Sequence, residues 1–591
     1  MQKLRNSPFF TSKRTHLIFL ILFPIFICGM TELGQMQSFG ELLNFTLTRF
    51  GIMVFSTLLI TAIFWFTNFL VKRAWIGGLI TAVLFYAFSC IEYYKYFISG
   101  AHFLFSDLAM TKNVADLTQF ARLHFNPLLL LSLFLIAAYI VCLWLCDVRI
   151  ERKFPIRGAI SVLIGFVTTV SLTVPALFIP VCTVFGIDNT YSYNAFSDEK
   201  RFENNNLITN FAVSINQQVA SKVEEPQNYS KELVNSMLDD ADTEPVSESN
   251  VVKPNIIFIM SESFGDFRQL EGMEVPEGTY DKLDEIKKEC FSGQAIVPTF
   301  GGNTVRTEFE LMFGLPVKSL NNATIPHSLL PANVEQDTFA QMYKKEGYST
   351  TYLHPFSSSF YGREEVYSEY GFDRLMFIDD LTVPVQKLRD YVDDDTVYRQ
   401  SEQIMAETEG PDYIHITTMQ NHQPYGSDDD TEVGVYLKGI QKSCEELQEF
   451  LNRLKESKEP TIVFFMGDHF PFFSPDSNIY ADLGITADNC EILYSQTYLI
   501  WNNYGLTHEE LPTEDVSAFY LPHIIYRQAG LPANEFTETI LNVMQDEPVY
   551  SVASSSENNS QLLDTLTYDR TIGMGYSDEE VAKPFSRNTE N

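Results

Sequence analysis

Asn255-Ile-Ile-Phe-Ile-Met260 runs directly into Ser261-Glu-Ser-Phe-Gly265. A nearly continuous apolar run of that length describes a strand buried on both faces, as found in a mostly parallel sheet covered by helices. Three runs of similar texture follow, at Tyr413-Ile-His-Ile-Thr417, Thr461-Ile-Val-Phe-Phe-Met466 and Gln496-Thr-Tyr-Leu-Ile-Trp501. Amphipathic, helix-like segments such as Glu335–Glu346 and Val433–Ser457 lie between them. The alternation predicts an α/β sandwich over residues 251–549. Such sheets place their sites beyond the carboxyl ends of strands, so polar residues directly after an apolar run deserve inspection.

Toward the N-terminus the texture changes. The chain has 591 residues and a formal net charge of -35, yet only eight of its 76 acidic residues precede position 190. An apolar, aromatic first third before an acidic remainder indicates a membrane part followed by a water-soluble part. The acidity argues against nucleic acid as a partner, because a phosphate backbone needs a basic footprint. Five apolar stretches, His16–Thr31, Gly51–Val71, Trp75–Glu92, Asn126–Leu145 and Gly158–Phe185, are candidates for the roughly 20-residue span of a bilayer. Lys3, Arg5, Lys13 and Arg14 precede the first, which contains Pro24 and reads as a retained anchor rather than a cleaved leader. Basic residues recur at Lys72 and Arg73 and at Arg149, Arg152, Lys153 and Arg157, alternating with the less basic segments Glu32–Phe50 and Tyr93–Phe125. The positive-inside rule then puts the N-terminus in the cytoplasm and everything after about Gly186 outside.

The expected organisation is a transmembrane domain of five helices over 1–188, a polar linker over 189–250 with short helices such as Ser230–Leu238, the α/β domain over 251–549, and an acidic polar tail over 550–591 expected to be disordered. Only Cys290, Cys444 and Cys490 fall in the soluble part, an odd number with no metal-like spacing and no disulfide framework.

Four places carry chemistry. Glu262 ends the first strand and is able to bind a hard cation, or simply to favour a helix N-terminus. In Phe300-Gly-Gly-Asn-Thr-Val-Arg-Thr-Glu-Phe-Glu310 the paired glycines allow close approach of a ligand. Thr304 there is either a helix cap, one residue off the capping-box spacing to Glu308, or a nucleophile of the kind that metal coordination activates. Asp468 and His469 directly follow Thr461–Met466 and offer an oxygen and a nitrogen to one metal, or are a loop acid beside a surface histidine. His422, in Asn421-His-Gln-Pro-Tyr425, is suited to binding a phosphate oxygen or to proton transfer, or is a loop histidine without a ligand. The stretch from His354 to Arg363 adds Tyr361 and a forked guanidinium suited to phosphate, with an ordinary surface ion pair as the other reading of Arg363.

With these motifs in this order behind five spans, the sequence resembles the lipoteichoic acid synthase family of the alkaline phosphatase and sulfatase superfamily. The resemblance implies an α/β sandwich of sulfatase and alkaline phosphatase type carried outside the bacterial cell membrane by a multi-pass five-helix bundle. It implies Thr304 as nucleophile, with Glu262, Asp468 and His469 completing the ligands of one divalent cation, Mn2+ foremost and Mg2+ or Zn2+ as alternatives. It places Arg363, Tyr361 and His422 on glycerol phosphate and His354 on the pocket lining. The implied reaction moves glycerol phosphate from phosphatidylglycerol to a hydroxyl acceptor, a glycolipid, polymer or glycan. Tyr361 and Phe356 depart from a usual tryptophan and a frequent acidic residue. The alternatives are a phosphoethanolamine transferase, a sulfatase-like hydrolase and an inactive surface-binding relative. A sulfatase is disfavoured because a threonine cannot become formylglycine.

Overall fold

The computed structural model describes residues 2–108, 125–190, 195–220, 223–238, 252–321, 325–331, 334–426, 430–474, 477, 479–506, 511–512, 514–532, 534–554 and 560–577. The described residues up to 220 form one compact unit and those from 223 onward a second.

In the first unit five helices are long and apolar enough to cross a membrane: α1 (Lys13–Met36), α2 (Phe50–Val71), α3 (Ala74–Ser99), α4 (Pro127–Cys146) and α5 (Phe154–Thr173). Phe23, Ile27, Phe64, Ala82 and Leu143 close a core shared by α1, α2, α3 and α4. The expected fifth span, Gly158–Phe185, is broken into α5 and α6 (Pro175–Phe185). Val174 adopts an extended backbone (φ -96°, ψ 109°), the conformation that a following proline imposes. Pro24, by contrast, lies inside a continuous α1.

The three basic regions meet at one end of this bundle. Ala74 N–H donates to Val148 O, Ile150 N–H donates to Lys72 O, and Arg5 pairs with Asp147. Part of the expected linker also belongs to this unit. Helices α7 (Ala195–Asn205) and α8 (Leu207–Ala220) pack here because Leu207, Ile208, Ala212 and Val213 are buried. The Glu32 carboxylate accepts from the Leu207 and Ile208 N–H groups at the start of α8.

The second unit is built on a mixed sheet of the strands β1 (Asn255–Ser261), β2 (Phe291–Ile296), β3 (Ser349–Leu353), β4 (Arg374–Met376), β7 (Asp412–Thr417), β8 (Thr461–Gly467), β9 (Ser495–Asn502) and β10 (Val516–Ser517). Their order across the sheet is β10-β2-β9-β8-β1-β7-β3-β4. A separate hairpin pairs β5 (Lys387–Leu388) with β6 (Tyr391–Val392). The four apolar runs are the four adjacent strands β9, β8, β1 and β7, and every residue of β1, β7 and β8 is buried. β1 runs parallel to both β7 and β8. β9 is antiparallel to β8 and to β2.

Among the helices, Val433–Ser457 appears as Glu432–Glu456, whereas Glu335–Glu346 forms a helix only over Phe339–Lys345. Ser230–Leu238 forms a helix at Lys231–Leu238, with Val234 and Leu238 in the core of the second unit. The expectation of a disordered tail from 550 is corrected for residues 560–577. Gln561–Thr571 is a helix whose Leu563 and Leu566 join the same core, and Asp569 accepts hydrogen bonds from Tyr229 and from the backbone of Tyr576 and Ser577. Its polar composition hid the partners that fix it: Arg570 also pairs with Asp337.

Candidate active site

The site follows from strand register. Ser261 pairs with Gly467 and Met260 with Thr417, so the first residues beyond β1, β8 and β7 emerge side by side. A Cβ on Gly467 would lie 2.0 Å from Phe264 O, so only glycine lets these chain ends approach so closely. Glu262, Asp468 and His469 are all buried, and each offers a ligand atom within 4.8 Å of the others. His469 Nε2 lies 3.3 Å from Asp468 Oδ2 and 3.9 Å from Glu262 Oε1.

Thr304 completes the cluster. Gly301, Gly302 and Asn303 all have positive φ (70°, 153° and 59°), and this sharp loop delivers Thr304 to the start of the helix Val305–Phe313. Backbone strain of that kind gathers at functional sites. Thr304 is not a side-chain cap: its backbone is already helical and its hydroxyl makes no capping bond. The hydroxyl instead donates to Glu262 Oε2 at 3.5 Å.

The donor set fits a divalent cation. Asp468 Oδ2 and His469 Nε2 are buried and have no hydrogen-bond partner, an arrangement that is costly unless something positive sits between them. The surrounding bonds fix the remaining atoms. Ser263 N–H and His469 N–H donate to Asp468 Oδ1, and Ser263 Oγ donates to Glu262 Oε1. His469 Nδ1 lies 2.8 Å from Phe470 O. A carbonyl only accepts, so Nδ1 carries the proton and Nε2 keeps its lone pair for a metal. Burial and the Asp468 charge push the Glu262 carboxyl well above its usual range, and burial raises Asp468 too. Two carboxylates confined together resist ionising, and a cation removes that penalty. Two oxygen acids, one imidazole and a hydroxyl suit Mn2+, Zn2+ or Mg2+.

A cleft of about 320 Å³ opens over the cluster, lined among others by Asn303, Thr304, Tyr361, His422, Gln423 and Phe472. His422 Nδ1 lies 2.6 Å from Gln423 O, so it is the protonated nitrogen and Nε2 is the basic one. Burial lowers the His422 imidazole to about 4, leaving it neutral at physiological pH.

Arg363 and His354 do not line this cleft. Arg363 is 1 % exposed and donates through Nε and Nη2 to Glu308 Oε2 at 3.2 and 3.0 Å. This is a buried pair and not a surface one. Tyr361 and Gly362 both have positive φ, which turns Tyr361 onto the cleft wall and Arg363 inward, its guanidinium 5.2 Å from the Tyr361 ring centroid. His354 Nδ1 faces Thr417 O at 2.9 Å, and burial lowers its imidazole to about 3.

Sequence reasoning passed over Glu308 except as a capping partner. It is fully buried and also accepts from Tyr352, Thr417 and Tyr367 hydroxyls. Burial opposes its ionisation, but Arg363 and these donors hold the carboxyl down at about 2. The available signal was position: Glu308 lies one helical turn after Thr304.

Carboxylates at the ends of neighbouring central strands, a sharp loop presenting a hydroxyl and an Asp-His pair make up the candidate site of this α/β domain. Residues 254–531 match the sulfatase family model. A Rhizobium meliloti (strain 1021) protein named for cyclic beta-1,2-glucan modification is 27% identical over 313 residues, 48% of this chain and 47% of its own length. The lipoteichoic acid synthase of Staphylococcus aureus (strain USA300) is 28% identical over 255 residues, 39% of this chain and 38% of its own. The chain thus spans less than half the length of these curated relatives. The Streptococcus pyogenes phosphoglycerol transferase GacH, solved in complex with sn-glycerol-1-phosphate, shares the fold with a TM-score of 0.50 and 23% identity, covering 60% of this chain and 96% of that one. Residues 254–531 are thus a sulfatase-type domain similar in sequence to that of the lipoteichoic acid synthase and in fold to GacH.

Proposed function

We propose that the chain is a membrane-anchored phosphoglycerol transferase with Thr304 as its nucleophile. The observation that carries this is the Thr304 hydroxyl bonded to Glu262 within the buried Glu262–Asp468–His469 cluster. Glu262, Asp468, His469 and Thr304 would hold one divalent cation, Mn2+ first among the candidates, which when bound supplies Lewis acidity toward the threonine oxygen and the phosphate.

In the first half-reaction the Thr304 oxygen–phosphorus bond forms and the phosphorus–oxygen bond to diacylglycerol breaks. The threonine proton ends on the departing diacylglycerol oxygen, relayed by His422. In the second, an acceptor hydroxyl attacks the phosphoglyceryl threonine, its proton passes to His422, and Thr304 is reprotonated. A neutral imidazole whose basic Nε2 is fixed by the Nδ1 bond suits that relay. Tyr361 lies on the wall against which the glycerol would pack, and the Arg363 guanidinium, paired with Glu308, backs that ring. His354 supports β7 from behind through Thr417.

Gathering of the basic turns at one bundle end supports a cytoplasmic N-terminus and an active domain facing the outer leaflet, where phosphatidylglycerol is within reach. Relatives named for lipoteichoic acid synthesis and for cyclic glucan modification keep both a polymer and a glycan among the acceptors. Mass spectrometry of the Thr304 peptide after incubation with phosphatidylglycerol tests the reading. A glycerol phosphate adduct is expected, lost in Thr304→Ala. An unmodified Thr304 beside continued turnover refutes it, and labelling from phosphatidylethanolamine alone would reassign the donor.

A further inference from the structure

The loop that carries His422 follows β7 and has no regular structure, so its backbone carbonyls need partners from elsewhere. Side chains supply them for five residues in succession. Arg389 Nη2 donates to Gln420 O at 2.9 Å and to His422 O at 3.0 Å, and its Nη1 donates to Pro424 O at 2.8 Å. Tyr425 OH donates to Asn421 O at 2.8 Å. Tyr391 OH donates to Gln423 O at 2.5 Å, the same carbonyl that His422 Nδ1 reaches.

Arg389 and Tyr391 both come from the β5–β6 hairpin, whose turn is Arg389-Asp390. Arg389 has φ +55°, a conformation unusual for a residue with a side chain, and its guanidinium lies 5.6 Å from the Tyr391 ring and 5.3 Å from the Tyr425 ring. A short hairpin with a strained turn has little stability of its own. Here its turn is tied to the loop by three charge-assisted bonds, and the Tyr391 ring centroid sits 5.4 Å from that of His422.

We infer that Arg389 and Tyr391 are positioning residues for His422. The hairpin is a brace that holds the His422 loop in the shape that presents the basic ring nitrogen to the reacting groups. Neither side chain lines the cleft, so neither touches the transferred group directly. This inference rests on the reading that His422 relays the proton.

The test uses the full chain in detergent micelles with phosphatidylglycerol as donor, comparing Arg389→Ala, Arg389→Lys, Tyr391→Phe, His422→Gln and the Arg389→Ala/His422→Gln double variant. Proton-transfer residues are worth about 10²- to 10⁴-fold. Arg389→Ala is therefore expected to lower kcat by roughly 10- to 100-fold while donor KM moves less than about twofold. Two residues acting through one imidazole are non-additive, so the double variant should be no slower than His422→Gln alone. Millimolar guanidinium should restore Arg389→Ala and leave the double variant unchanged, because the half-buried pocket left by the side chain takes the free cation. Should Arg389→Ala fail to fold, Arg389→Lys and Tyr391→Phe carry the same expectation of a kcat loss at near-constant KM. A kcat within twofold of wild type in these variants, or a double variant slowed by the full product of the single effects, overturns the brace. A His422→Gln variant at wild-type rate overturns the proton-relay reading instead, so the two failures are distinguishable.

Discussion

Replacing Glu308 with glutamine removes the charge that neutralises Arg363 while leaving the volume nearly unchanged. The carboxyl lies at about 2 against an ordinary 4.5, a displacement of about 2.5 pH units. At about 1.36 kcal/mol per unit this corresponds to about 3 kcal/mol of stability. Breaking a buried ion pair from one side costs about 3–5 kcal/mol, which agrees. The sign is set by the depressed value. The contribution is complete above about pH 4.5 and fades as pH falls toward 2. Trp501 is the only tryptophan beyond residue 144 and is 2 % exposed in β9. In a background with Trp65, Trp75 and Trp144 changed to phenylalanine, its emission reports unfolding of the second unit. Urea unfolding of the full chain in micelles should place Glu308→Gln about 3 kcal/mol below the parent at pH 7, with the gap narrowing below pH 4.5. A gap under about 0.5 kcal/mol at pH 7 would refute the account, as would one of equal size at pH 7 and pH 3.

Two further outcomes follow from the same geometry. Because burial lowers His422 to about 4, the basic form persists through the range where an ordinary histidine of 6.5 would titrate. The acid limb of kcat/KM should therefore lie well below pH 6.5, and a limb centred at 6.5 would assign the proton relay to another group. Saturating Mn2+ at 100 times its Kd should stabilise the second unit by about 2.7 kcal/mol over an EDTA-treated sample. Asp468→Asn should erase that shift, and an equal shift in the variant would place the cation elsewhere.

The four continuous apolar runs were legible because strands buried on both faces have no choice of residue type, and they form the contiguous middle of the sheet. β2 was not legible. Phe291-Ser-Gly-Gln-Ala-Ile296 is half-buried over most of its length, and Gly293 is there only to clear Tyr498 of β9. β4 and β10 are too short to carry a period. Of the site, Glu262, Asp468 and His469 could be found by their position after strands, since strand register brings such residues together. Arg363 was legible as a charged donor, but its partner Glu308 lies 55 positions away and shows only in three dimensions. The three carbonyls held by Arg389 have no sequence signature at all, because any residue supplies a carbonyl.

The seam between Tyr229 and Asp569 has a bearing on synthesis. Ribosomes deliver the β1 strand some three hundred residues before the helix Gln561–Thr571 that covers part of the same core. Until that helix arrives, the missing Leu563 and Leu566 leave a greasy gap in an otherwise assembled core, a surface that chaperones bind and aggregates grow from. Expression fragments ended near residue 550 would keep that gap permanently, so yield and solubility depend on a stretch far in sequence from the reacting threonine.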